Sequence, residues 1–322
     1  MKIAHDIHTH NVYSKCCKDK NASTLAYIEK EADLGMKVFG LSNHIWDENV
    51  KGISGWYKNQ TILLCEEAKP LLKNPPRDIT CLFGAETEYF ACQDQLGMSV
   101  EGAKHFDYLI IPHTHLHMRN EVMWDYPEVR EMRSEIAAKI AESNPYLTEK
   151  ALASITKSLG ESVLMEYIPE MRTNIGEYTI GAAFDNYHAL FENPVFLEIC
   201  KTVPTSISHP FGLCGVHNSL KNEYLALRPD SDYEECFKKA KALGVSIEIN
   251  TDSVAACGLD LTQNQLMRIF AIAKNVGCKF TFGSDSHSIA GLEKIFIAND
   301  VIEYLQLDRS HLAELINTAV ID

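Results

Sequence analysis

Thirteen of the 322 residues are histidines, and their positions carry the chemistry of this sequence. His8 and His10 stand two apart, His44 follows alone, and His113, His115 and His117 alternate along one short run. His209 comes later, and Asp285 and His287 close the series within Ser284-Asp285-Ser286-His287. Glu86 adds a carboxylate between them, with Glu88 as its rival. Residues i and i+2 of an extended strand share a face, so His8 and His10 can grip one ion. Imidazole with carboxylate suits Zn, Fe or Mn, and one carboxylate can bridge two cations roughly 3.5–4 Å apart. Such sites keep open positions, lower the pKa of bound water and clamp the oxygens of a transferring phosphoryl or acyl group. Each element alone also has a bland reading, as a capping histidine, a solvated carboxylate or a helix N-cap. Their joint placement favours a shared site.

Positioning these groups requires a scaffold that gathers distant segments. Apolar or β-branched runs predict strands at Lys2–Asp6, Val38–Ser42, Thr80–Gly84, Tyr108–Ile111, Ser206–Ser208, Ser246–Ile249 and Phe280–Phe282. Helix-period segments lie between them, such as Thr24–Leu34, Asp232–Leu243, Thr262–Asn275 and Leu292–Leu305. Several start at a Ser, Thr or Asp and end near a glycine, as helix boundaries do. Alternating strands and helices imply a parallel sheet covered by helices, and about seven such units fit a TIM-like α/β barrel. The candidate residues then fall at the C-terminal ends of the strands, where barrel active sites form.

From about Met118 to Asn186 the rhythm breaks into a helical stretch with no convincing strand. The expectation is one domain spanning residues 1–322, with a helical insertion at about 118–186 covering one end of the barrel. Arg119, Arg130, Arg133 and Arg172 in it could meet a substrate phosphate, or pair with Glu on their own helices.

Composition narrows the function. Acidic residues outnumber basic ones by 44 to 30, a net charge of −14 that disfavours nucleic acid as a partner. A small anionic substrate stays compatible, because bound metal ions reverse the local field. No secretory signal and no apolar run of about 18 residues is present, so neither export nor a membrane is expected. Ten scattered cysteines without a CxxC suit a reducing cytoplasm and argue against a closed structural zinc site. No phosphate-binding glycine loop, dinucleotide fingerprint or GxSxG elbow occurs.

Taken together, the motifs resemble the PHP (polymerase and histidinol phosphatase) family, and its stand-alone histidinol-phosphatase-like members in particular. Asp6-Ile7-His8-Thr9-His10 is similar to DxHxH, Gly84-Ala85-Glu86 to the glycine-x-glutamate element, Ser208-His209-Pro210 to the later histidine, and Ser284-Asp285-Ser286-His287 to SDxH. The resemblance implies a distorted (β/α)7 barrel with two or three divalent metals (Zn, Fe or Mn). It also implies hydrolysis of a small phosphomonoester by metal-activated hydroxide, with histidinol phosphate as one candidate. His8, His10, Glu86 and Asp285 would form the first site. Glu86 would bridge to a second, completed by His209 and His115, with His113 in reserve. His44 and His287 would belong to a third. Glu86, Asp285 and His209 would be the catalytic set. Three departures stand out: Asn43 replaces an aspartate before His44, Cys16 replaces a histidine at the third site, where its thiolate could bind zinc, and the spacing from Asp107 to the next histidine is off by one. An amidohydrolase and a non-catalytic metal-binding module are the alternatives, and the sequence is silent on oligomeric state.

Overall fold

A computed structural model describes residues 1–52, 56–115, 127–149, 151–152, 169–316 and 320–321. Seven strands form one all-parallel sheet in sequence order: β1 (His5–Asp6), β2 (Val38–Leu41), β3 (Thr80–Glu86), β4 (Tyr108–Pro112), β5 (Thr205–Ser208), β6 (Ser246–Asn250) and β7 (Phe280–Gly283). The segments around β1 and β7 meet through Ile7 N–H to Phe282 O (3.2 Å), Asp285 N–H to His8 O (2.8 Å) and His10 N–H to Ser286 O (2.8 Å). The sheet is therefore a nearly closed, distorted (β/α)7 barrel, with helices around it. Every residue of β2, β4, β6 and β7 is buried, as strands covered on both faces must be.

The strand ends differ in detail from the sequence reading. The first predicted strand is two pieces: Lys2–Ile3 pairs antiparallel with Val320–Ile321 beneath the barrel, and only His5–Asp6 joins the main sheet. The third runs through to Glu86, which is thus the last strand residue rather than a loop carboxylate.

Helix boundaries follow local chemistry. Ser23 Oγ accepts from Ala26 N–H to start α1 (Thr24–Asp33). The helix over Gln265–Val276 starts at an Asn264 cap, ends at left-handed Gly277, and buries Leu266, Met267, Ile269, Phe270 and Ala273 along one stripe. Each of the four larger side chains contributes about 1.5–3 kcal/mol by leaving water.

The described part of the expected insertion carries helices at Pro127–Ser143 and Pro169–Leu190, with a turn after the first. Its second helix, however, belongs to the core rather than to a cover. Ile175, Thr179, Ile180, Ala183 and Tyr187 are all buried, a helical stripe the sequence carries openly. Arg119 lies outside the described residues, as do the side chains of Arg130, Arg133 and Arg172. Among the described residues no helix is long and apolar enough to cross a membrane.

Candidate metal centre

The C-terminal rim of the barrel gathers the candidate donors. His8 and His10 follow β1, His44 follows β2, Glu86 ends β3, His115 follows β4, His209 follows β5, and Asp285 and His287 follow β7. His8 Nε2 and His10 Nε2 are 3.0 Å apart. Glu86 Oε2 lies 3.5 and 3.3 Å from these two nitrogens, and Asp285 Oδ1 lies 3.4 and 3.2 Å from them. The other oxygen of Glu86 faces a second group: Oε1 is 3.0 Å from His209 Nε2 and 3.9 Å from His115 Nε2. His44 Nδ1 approaches Oε2 at 3.1 Å. On the far side, donor atoms of His10, Cys16, His44 and His287 all lie within 4.8 Å of one another.

The outer partners decide which nitrogen of each ring faces inward. Glu248, buried on β6, places Oε1 2.7 Å from His8 Nδ1, and its Oε2 accepts from His209 N–H at 2.6 Å. Glu88 Oε1 sits 2.6 Å from His115 Nδ1 and accepts from the Tyr57 hydroxyl. A carboxylate on Nδ1 keeps the proton there and turns the Nε2 lone pair toward the centre, the arrangement metal-bound histidines use. Asn43 Oδ1 accepts from Asn11 N–H (2.9 Å) and Ser14 Oγ–H (2.8 Å), while its amide donates to Asn11 Oδ1 (2.9 Å). An aspartate there would lack that donor, so the asparagine ties the loop bearing Ser14 to the segment bearing His44.

Two glycines make room for this packing. A Cβ on Gly283 would run into His8 Cβ and Glu248 Oε1, the pair that sets the inner ring. One on Gly84 would run into the ring of Tyr108, whose hydroxyl donates to Ile7 O at 2.6 Å.

Burial and charge oppose each other throughout. Burial alone would raise Glu86 and Asp285, but neighbouring imidazoles hold both well below the usual carboxylate range. Burial alone would lower His8 and His115, yet Glu248, Asp285 and Glu86 push His8 well up, and Glu88 with Cys214 pushes His115 well up. His10 and His44 go the other way, through burial and, for both, adjacent imidazoles, His44 to about 4. Burial, with Glu86 and Asp285 beside it, pushes the Cys16 thiol up to about 12. Cys214 is held below the ordinary thiol value: burial acts upward, and His209 and His115 outweigh it. The cluster thus holds protons where its carboxylates demand positive charge, and a cation would take the same places.

The donors fit metal ions. Ligands at about 2.0–2.2 Å from one ion, at tetrahedral or octahedral angles, stand about 2.9–3.6 Å apart. The separations around His8, His10, Glu86 and Asp285 run from 3.0 to 3.5 Å. Among the described residues, three groups of His, Cys and Glu in this rim could each hold an ion, and hard Mg-type chemistry is not what their nitrogen and sulfur atoms favour.

His113 stands apart. Its Nδ1–H donates to Ala183 O (3.1 Å) and its Nε2 accepts from Phe211 N–H (3.2 Å), so both nitrogens serve the backbone. Tyr187 and Phe211 flank the ring, which burial drives down to about 3. His117 lies outside the described residues. Sequence reasoning missed Glu248, Tyr57 and Cys214. For Glu248 a signal existed: a carboxylate in Ser-Ile-Glu-Ile-Asn alternates onto the barrel interior, where an unpaired charge is costly. For Tyr57 and Cys214, in loops between elements, none did.

The architecture defined here is a (β/α)7 barrel whose mouth carries His/Glu clusters able to bind metal. No family model and no curated protein matches the sequence. Among solved structures, a Listeria monocytogenes protein provisionally assigned as a histidinol phosphatase shares the fold with a TM-score of 0.51 at 12% identity, over 89% of this chain and 97% of that one. The histidinol phosphate phosphatase of Lactococcus lactis subsp. lactis, whose structure holds Zn, L-histidinol and phosphate, gives 0.49 at 13% identity, over 96% and 95%. The Listeria likeness is one of fold, and it makes this chain histidinol-phosphatase-like in architecture.

Proposed function

We propose that the protein is a metal-dependent phosphoesterase acting on a small phosphomonoester. The observation that carries this reading is the division of Glu86, whose Oε2 faces His8, His10 and His44 while Oε1 faces His209 and His115. A carboxylate so placed is suited to bridge two ions. Divalent ions held there supply Lewis-acid stabilisation of phosphoryl oxygens and acidify water.

The residues of the chain do the rest. His8, His10 and Asp285 supply the donors on one side of Glu86, and His209 and His115 those on the other. Glu248 and Glu88 hold the protons on His8 Nδ1 and His115 Nδ1, so Nε2 is the atom each ring presents. His44, His287 and Cys16 form a further group beside His10, which is suited to a third ion. Burial of His8, His10, Glu86 and His209 excludes bulk water and strengthens every charge interaction at the centre. The side chain of His287 is 36% exposed, which places the mouth on its side of the cluster. With the net charge at −14, ions held at the rim would supply the positive field that a phosphate needs there.

A panel of phosphorylated metabolites, histidinol phosphate among them, tested on zinc-, iron- and manganese-loaded protein decides the matter. Hydrolysis of at least one phosphomonoester, abolished by chelation, is expected. Turnover of cyclic amides instead would establish the amidohydrolase alternative. Metal binding without any turnover would establish a non-catalytic module.

A further inference from the structure

Cys214 lies at the end of a tightly coiled loop after β5. His209, Phe211 and Leu213 all take positive φ values (29°, 57° and 48°), and Gly212 N–H returns to His209 O at 2.8 Å. The coil is locked from below, because the Phe211 ring is fully buried among Phe184, Tyr187 and Tyr233 and its N–H donates to His113 Nε2. A chain coiled this way brings residue 214 back over residue 209. The Cys214 sulfur and ring nitrogens of His115 and His209 consequently lie within 4.8 Å of one another, beside the Oε1 face of Glu86. Cys16 occupies the opposite side, with His10, His44 and His287.

We propose that Cys214 is a metal-binding thiolate that joins His115, His209 and Glu86 Oε1 in the second donor group. The inference rests on the reading of this rim as a metal centre. On binding, the S–H bond of Cys214 breaks, its proton passes to solvent, and the sulfur's electron pair forms the bond to the ion. A soft sulfur beside two imidazoles shifts this position toward zinc and away from magnesium or manganese.

Zinc K-edge X-ray absorption on the full-length, zinc-loaded chain tests this, with C16S as the background that removes the thiol of the neighbouring donor group. The C16S protein should show a Zn–S shell at about 2.3 Å, and C16S/C214S should keep only N/O scattering at about 2.0–2.1 Å. Zinc bound by C16S through N/O alone overturns the role of Cys214 and leaves the metal centre standing. A chain that binds no zinc at all overturns both. Should C16S fail to fold, cobalt-loaded wild type and C214S are compared by their near-ultraviolet sulfur-to-cobalt band. Loss of at least half the band in C214S supports the proposal. An unchanged band, or none in the wild type, rejects it.

Discussion

Glu248 Oε1 stands 2.7 Å from His8 Nδ1, with both residues buried, while its second oxygen receives the His209 N–H at 2.6 Å. One carboxylate on β6 thus orients a side chain after β1 and a backbone group after β5. Glutamine in its place has a single acceptor for two donors. Glu248→Gln should weaken zinc binding about 10–100-fold with an unchanged far-ultraviolet CD spectrum. Wild-type affinity in a competition titration would show that other contacts suffice to orient His8.

Glu86→Gln should cost more activity than any other single donor change, since both oxygens face donor groups. Metal content per chain should fall with it. Full metal content together with near-normal turnover would reject a bridging role.

His113 and His115 should separate cleanly. His113→Ala leaves the buried Phe211 N–H without its partner, at about 1–3 kcal/mol, and removes the extra donor to Ala183 O, so it should lower Tm without changing zinc content. His115→Ala should lose zinc, and its Tm should fall no further than that of chelator-treated wild type. Loss of zinc in the His113 variant, with zinc content unchanged in His115→Ala, would reverse the assignment.

Acid should also find His113. Burial holds it neutral down to about 3, whereas the unfolded chain titrates near 6.5. Between those values unfolding takes up as much as one proton at this position. Stability therefore falls with acid by up to about 1.4 kcal/mol per pH unit from this group. In chelator-treated protein, His113→Gln, which can still donate and accept, should flatten the pH dependence of the denaturation midpoint between about 6.5 and 4. Parallel wild-type and variant curves would mean that His113 already titrates in the fold as it does in the unfolded chain.

Removing metal should destabilise the fold as well as silence it. Ions that bind only the folded chain stabilise it by mass action, about 2.7 kcal/mol at a free concentration of 100 Kd. Chelation should lower Tm, and zinc should restore it. A Tm indifferent to both would place the ions elsewhere.

Much of this site was legible in one dimension. Strand periodicity followed by His, Glu or Asp put His8, His10, His44, Glu86, His209, Asp285 and His287 at one end of a parallel barrel. The reason is physical: in alternating β/α units every strand points the same way, so strand-end residues share a rim whatever their separation in sequence. Only the tertiary structure decided what depends on side-chain direction. Alternation along His113-Thr114-His115 leaves both rings on one side of an extended chain. Packing against Ala183 and Phe211 then takes His113 for the backbone, while Glu88 turns His115 inward. Alternation in Ser-Ile-Glu-Ile-Asn could point Glu248 inward but not to His8, 240 residues away, and Cys214, set by a loop coiled through three positive φ angles, carried no local pattern, because their partners exist only once the barrel closes.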